Sequence, residues 1–270
     1  MAGVRRSSEV RELTGYYRHD VLKLLDKETD CVGVELGVAA GGFSARMVNS
    51  GRFSTFFGVD MYADTHTTEQ YKTALRAVGL FKPYKLLRMT FDEAYDLFED
   101  ESLDFIYVDG YAHSGQEGGD TIYKWAKKVR VGGLIAGDDY HTDWPLVQQA
   151  VDGFVSDAGL ELCVTTETEP DVDYSDYPSW VVVKTGPTPD EPRQELVKIG
   201  KAAASRVHKK RMREKRLLEL LERIIGEDRY ARLKTWHRAR RGKLLESAKR
   251  VIGEDRYARL KTWHRARRGK

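Results

Sequence analysis

Short apolar runs alternate with amphipathic stretches along the front part of the chain. Cys31–Leu36, Phe56–Asp60, Tyr84–Arg88, Phe105–Val108 and Leu134–Ala136 have the β-branched and aromatic content of buried strands. Between and after them, Ser44–Asn49, Thr68–Val78, Phe91–Phe98, Asp120–Val129 and Pro145–Ala158 repeat apolar residues at helical spacing. Parallel strands need crossover connections, so this alternation predicts a parallel sheet covered by helices on both faces. Ahead of it, Val10, Leu13, Tyr17, Val21, Leu24 and Leu25 predict an amphipathic helix over Ser8–Leu25. Leu160–Thr165 and Trp180–Val183 read as two more strands, and the polar loop between them, Glu167–Ser179, has no helical pattern. The last strand is therefore expected to run antiparallel. The fold class is α/β, with a seven-stranded sheet.

Composition divides the chain. Gly186-Pro187-Thr188-Pro189-Asp190-Glu191-Pro192 can continue neither helix nor strand. The expected organisation is a domain over 1–186, a proline-rich linker over 187–193 and a basic helical tail over 194–270. The net charge of +3 conceals an asymmetry: Met1–Pro192 holds 18 basic and 33 acidic residues, and the remainder 27 and 9. The tail carries a tandem repeat, Leu217–Lys243 and Leu244–Lys270, with four differences. Each copy predicts a short helix, a break at Gly226 or Gly253, and a second helix opened by acids and closed by arginines. Its interleaved Tyr230, Trp236, Tyr257 and Trp263 suit contact with an anionic membrane surface or polyanion; packing on the acidic domain or on a second subunit of a homo-oligomer fits equally. No zinc spacing or nucleic-acid signature is present, so sequence-specific nucleic-acid binding is not expected. With no membrane-length apolar run, no secretory apolar core at the N-terminus, and cysteines only at Cys31 and Cys163, the expectation is a cytoplasmic protein with reduced thiols. The tail would offer a route to the inner membrane surface.

The chemistry concentrates where strands should end. Val34-Glu35-Leu36-Gly37-Val38-Ala39-Ala40-Gly41-Gly42-Phe43-Ser44 runs from a strand through a glycine-rich turn into a helix, whose N-terminus offers unpaired N–H groups. The spacing is not the Gly-x-Gly-x-x-Gly of a dinucleotide fold, and an acid on the strand suits a ligand bearing an amine. Asp60, ending the next strand, is placed to accept hydrogen bonds from ribose hydroxyls. Thr90 and Phe91 follow the third strand, where an adenine would lie.

On these residues the chain resembles the Rossmann-like class I S-adenosylmethionine (SAM)-dependent methyltransferases over nearly all of 8–185. Glu35, Gly37 and Gly41 fall on the first motif and Asp60 on the ribose-binding acid, with Ser44 a further candidate for holding the cofactor. Ile106-Tyr107-Val108-Asp109-Gly110 and Gly137-Asp138-Asp139-Tyr140 make it similar to small-molecule O-methyltransferases, among them metal-dependent sugar-methylating enzymes. The resemblance implies SAM as cofactor, held in part by Asp109, and a small hydroxylated acceptor such as a sugar. Asp109, Asp138 and Asp139 should converge, and clustered carboxylates invite a hard cation such as Mg²⁺ that could also acidify a substrate hydroxyl. His113, close after Asp109, is the expected general base, and His141 the second choice. The chain departs from the sugar enzymes' shorter Asp-Gly-Asp pattern, which sets the metal and the histidine in tension. Two rivals stand beside this reading: a nicotinamide oxidoreductase on a similar sheet, and a non-catalytic tethering protein whose tail does the binding.

Overall fold

The strands, in chain order, are β1 (Arg11–Leu13), β2 (Cys31–Leu36), β3 (Phe53–Val59), β4 (Tyr84–Leu87), β5 (Leu103–Val108), β6 (Val129–Gly137), β7 (Cys163–Thr165) and β8 (Trp180–Val183). They form one sheet in the order β1-β7-β8-β6-β5-β2-β3-β4. Every neighbouring pair is parallel except those of β8, which runs antiparallel to both β6 and β7. The helices are α1 (Gly42–Asn49), α2 (Thr68–Val78), α3 (Phe91–Tyr95), the single turn α4 (Gly115–Gly118), α5 (Asp120–Ala126), α6 (Pro145–Ala158) and α7 (Gln194–Ile225), with 3-10 helices at Arg18–Leu24 and Ala112–Ser114. This computed structural model describes residues 10–225 apart from 64–65, 81–82, 170–171 and 173–174, and the side chains of α7 only as far as Arg213.

The pleat explains the two-sided core. Along β5, Ile106 and Val108 point into a cluster with Val34, Leu36, Trp125, Val151 and Phe154. Phe105 and Tyr107 point the other way, onto Phe43, Met47, Val21 and Leu22. A parallel sheet buried on both faces needs apolar residues at consecutive positions, and every residue of β5 is buried. Cys31 and Cys163 are buried free thiols on this sheet.

The N-terminal segment departs from expectation. Over the described part of Ser8–Leu25 there is no long helix: β1 pairs with β7, Gly15 turns the chain at φ +78°, and a 3-10 helix follows. Leu13 meets the apolar spacing of a helix but finds its burial on a strand, and the sheet gains an eighth member.

Two compact units divide the chain, Met1–Ala204 and Ser205–Lys270. The first turns of α7 belong with the sheet. A Cβ on Gly118 would fall on the Leu196 carbonyl, and one on Gly200 would meet the backbone of Gly118 and Ser114. From residue 226 onward the tandem repeat lies outside the described residues. Among the described residues no helix is long and apolar enough to cross a membrane.

Candidate active site

From β2 the chain first builds outward through β3 and β4, then returns to place β5 and β6 on the other side of β2. Ligands of open α/β sheets bind outside the strand C-termini at such a reversal. A cavity of about 480 Å³ lies there, lined by the loop Gly37–Ala40, Gly42, Phe43, Glu35, Asp109, Asp138 and Asp139, with His66, Val172, Asp176 and Tyr177 along its margin.

The glycine turn is fixed from inside the protein. Gly37 has φ +99°, and a Cβ there would fall on the carbonyl oxygen of Asp109, because the paired strands β2 and β5 end side by side. Gly41, at φ +80°, would press a Cβ against Ala74 of α2. Asp60 ties this loop to β3. Its Oδ2 accepts from the backbone N–H groups of Val38 (3.0 Å) and Ala39 (3.1 Å), and its Oδ1 from that of Tyr62 (3.0 Å). His66 Nδ1 lies 2.5 Å from the same Oδ2. Burial opposes the charge on Asp60, but His66 and the backbone donors outweigh it and hold the carboxyl below its ordinary range.

Glu35 is only 1% exposed and accepts a hydrogen bond from Ser44, whose hydroxyl also meets that of Tyr84 at 3.0 Å. Burial pushes its carboxyl up to about 8, with the Ser44 hydrogen bond pulling the other way. A carboxylate so poorly solvated would gain from an incoming ammonium group.

Arg18, from the 3-10 helix, is the residue that the sequence did not single out. It is 1% exposed, and its guanidinium sits 2.7 Å from Asp109 Oδ2 and 3.2 Å from Asp138 Oδ2. It sits over Phe43 and Tyr107, at 4.4 and 4.7 Å from their ring centroids, and the two rings touch each other, with centroids 4.3 Å apart. The signal was present: Arg18 stands one helical turn before Val21 and Leu22, on an otherwise apolar stripe. Asp138 also accepts from Ser179 Oγ at 3.4 Å. Asp139, at left-handed φ +63°, receives no side-chain hydrogen bond among the described residues. Burial, with Asp138 and Asp109 adding to it, raises its affinity for a proton.

The structure thus gathers Glu35, Gly37, Asp109, Asp138 and Asp139 around one cavity, with Ser44 and Asp60 one contact behind. Gly41 shapes the loop from behind. Thr90 caps α3 in a reciprocal pair with Glu93, and Phe91 packs on Tyr111 and Gly110; neither is among the cavity-lining residues. His113 is exposed and meets the Trp144 ring edge-on at 5.0 Å, also outside that lining. His141 lies against Tyr177.

Residues 32–140, from β2 to the loop after β6, match the family model for a methyltransferase domain. Over that stretch the chain is similar to a methyltransferase domain. No curated protein matches it. Among solved structures it is similar to an rRNA methylase from Streptococcus thermophilus (17% identity, 62% of this chain and 94% of that one, TM-score 0.45). A Klebsiella pneumoniae protein designated an O-methyltransferase shares 14% identity over 62% and 77%, with TM-score 0.48. Cofactor-bound Rv0187 from MTB shares 11% over 61% and 78%, with TM-score 0.47.

SAM is the cofactor this methyltransferase domain implies, and the lining fits it: a buried acid, the open edge of a backbone loop and the start of α1 converge on one space. The Mg²⁺ expectation fares differently. Asp109 and Asp138 are turned onto Arg18, and no group of three or more His, Cys, Asp or Glu side chains among the described residues is set to hold a metal. The donor set does not fit a divalent cation, because a guanidinium already stands between its members.

Proposed function

We propose that this methyltransferase transfers the methyl group of SAM to a hydroxyl oxygen of a small, polyhydroxylated molecule of the sugar type. The observation that carries this reading is the acidic wall of the cavity, Asp139 with Asp138 and Asp109, beside the loop assigned to SAM. The acceptor oxygen attacks the methyl carbon as the carbon–sulfur bond breaks, leaving S-adenosylhomocysteine, and the hydroxyl proton passes to a base. Asp139 fits that role better than His113: it lines the cavity, while His113 rests on Trp144 outside that lining. Carboxylates also accept hydrogen bonds from further hydroxyls, which suits a polyol. No step in this scheme runs through Mg²⁺.

The test is methyl transfer from labelled SAM to a panel of sugars, phenols and amines, with the product resolved by mass spectrometry. An O-methyl ether is expected. Asp139→Asn should lower kcat by about 10²-fold or more with the affinity for SAM nearly unchanged, and His113→Ala should leave both close to wild type. Turnover should climb as pH rises from neutral, because Asp139 must give up its own proton before it can accept another. Methyl groups found only on nitrogen, or an Asp139→Asn variant with wild-type kcat, would overturn the assignment.

A further inference from the structure

We infer that Arg18 takes the place of a divalent cation at the strand ends, fixing Asp109 and Asp138 as a charged pair, so that SAM binding and methyl transfer proceed without metal. A guanidinium withdrawn from water costs several kcal/mol unless it is closely paired. Arg18 is paired twice, with carboxylates from two different strand ends, the loops after β5 and β6. It also lies over the touching ring pair of Phe43 on α1 and Tyr107 on β5. Four elements therefore meet at one cation: the 3-10 helix, α1, β5 and β6.

The geometry separates this arrangement from a metal site. Two carboxylates facing each other across a cavity repel unless a positive charge lies between them. A planar fork with five N–H donors reaches both carboxylates at once, hydrogen-bonding Asp109 and facing Asp138 as an ion pair, while the adjoining rings of Phe43 and Tyr107 support it. Unlike a metal ion, it offers no open coordination position to a substrate oxygen. It would also compete with a divalent cation for the same space, so the two are alternatives. Lysine, a single point charge on a flexible stem, cannot span the two carboxylates in the same way. Arg18 is thus a positioning residue, acting through Asp109 and Asp138.

Mn²⁺ serves as the probe, titrated into the full chain by calorimetry and electron paramagnetic resonance, with and without SAM. The wild-type protein should bind no Mn²⁺ with a Kd below about 1 mM at this site, and its SAM affinity should be the same before and after treatment with a chelator. Arg18→Gln, which removes the charge but keeps an amide donor, should weaken SAM binding at least tenfold. It should also open a Mn²⁺ site that disappears again when Asp138→Asn is added. A protein that merely lost structural support would show the weakened SAM binding without the new metal site. That result would overturn the substitution of cation for cation. A wild-type Mn²⁺ site abolished by Asp138→Asn would overturn it too, as would loss of SAM affinity on chelation. The wild-type titrations decide the matter even if Arg18→Gln does not fold.

Discussion

Glu35 couples its burial to pH. Its carboxyl moves from an ordinary 4.5 to about 8 in the folded protein, so the native state holds a proton that the unfolded chain has released. The linked stability is full below about 4.5 and is lost as pH climbs through 8. Glu35→Gln should therefore flatten that decline, leaving the ligand-free protein more stable than wild type at pH 8, as thermal melts at pH 5 and 8 would show. The same variant should bind SAM about tenfold or more weakly by calorimetry, since it cannot answer an ammonium with charge. Gains in stability with losses in binding are the opposite of what packing damage produces. Asp60 behaves differently, because its oxygens serve the protein's own backbone. Asp60→Ala leaves the N–H groups of Val38, Ala39 and Tyr62 without their acceptor. It should cost about 2–4 kcal/mol in denaturant unfolding, besides weakening SAM.

At the level of elements, the turn between β2 and α1 shows why glycine is required. Gly37→Ala would strain a left-handed backbone and drive a methyl group into the Asp109 carbonyl. The ends of β2 and β5 would part, and a loss of about 3 kcal/mol or more in stability is expected, with SAM affinity falling in parallel. The strands and helices from β2 to α6 could be read in the sequence, because their apolar periods are set locally and tertiary packing reinforces them. Glu35, Asp109, Asp138 and Asp139 could be read because strand ends in an α/β sheet are where side chains converge. The N-terminal stretch could not. The spacing of Val10, Leu13 and Tyr17 satisfies a helical period, yet Gly15 turns the chain and β7 offers Leu13 a partner far away in sequence. Arg18 was hidden for a related reason, since its partner Asp109 lies 91 positions away and only folding brings them together. Proximity in sequence made His113 attractive; in the fold its ring meets Trp144 edge-on.

The whole molecule places its first unit's boundary beyond the proline-rich segment. Gly118 and Gly200 allow the backbone of α7 to lie directly on the turn after β5, and Ala203 is buried at the end of that contact. A chain ending after Ala204 should melt within a few degrees of full length and keep its SAM affinity. One ending after Pro192 should lose about 5 °C or more in Tm, because the Ser114–Gly119 turn is uncovered. Circular dichroism melts of the two truncations distinguish this boundary from one at the linker.

The order of the sheet also bears on how the domain is made. Among the described residues β8 is the last strand to be synthesised, yet it sits inside the sheet, between β6 and β7, and β1 is joined to the rest only through β7. A nascent chain emerging from the ribosome cannot complete its framework strand by strand. It must hold the gap beside β6 open until Trp180–Val183 arrives. Arrested chains released before that point should be captured by chaperones, and those released after it should escape them.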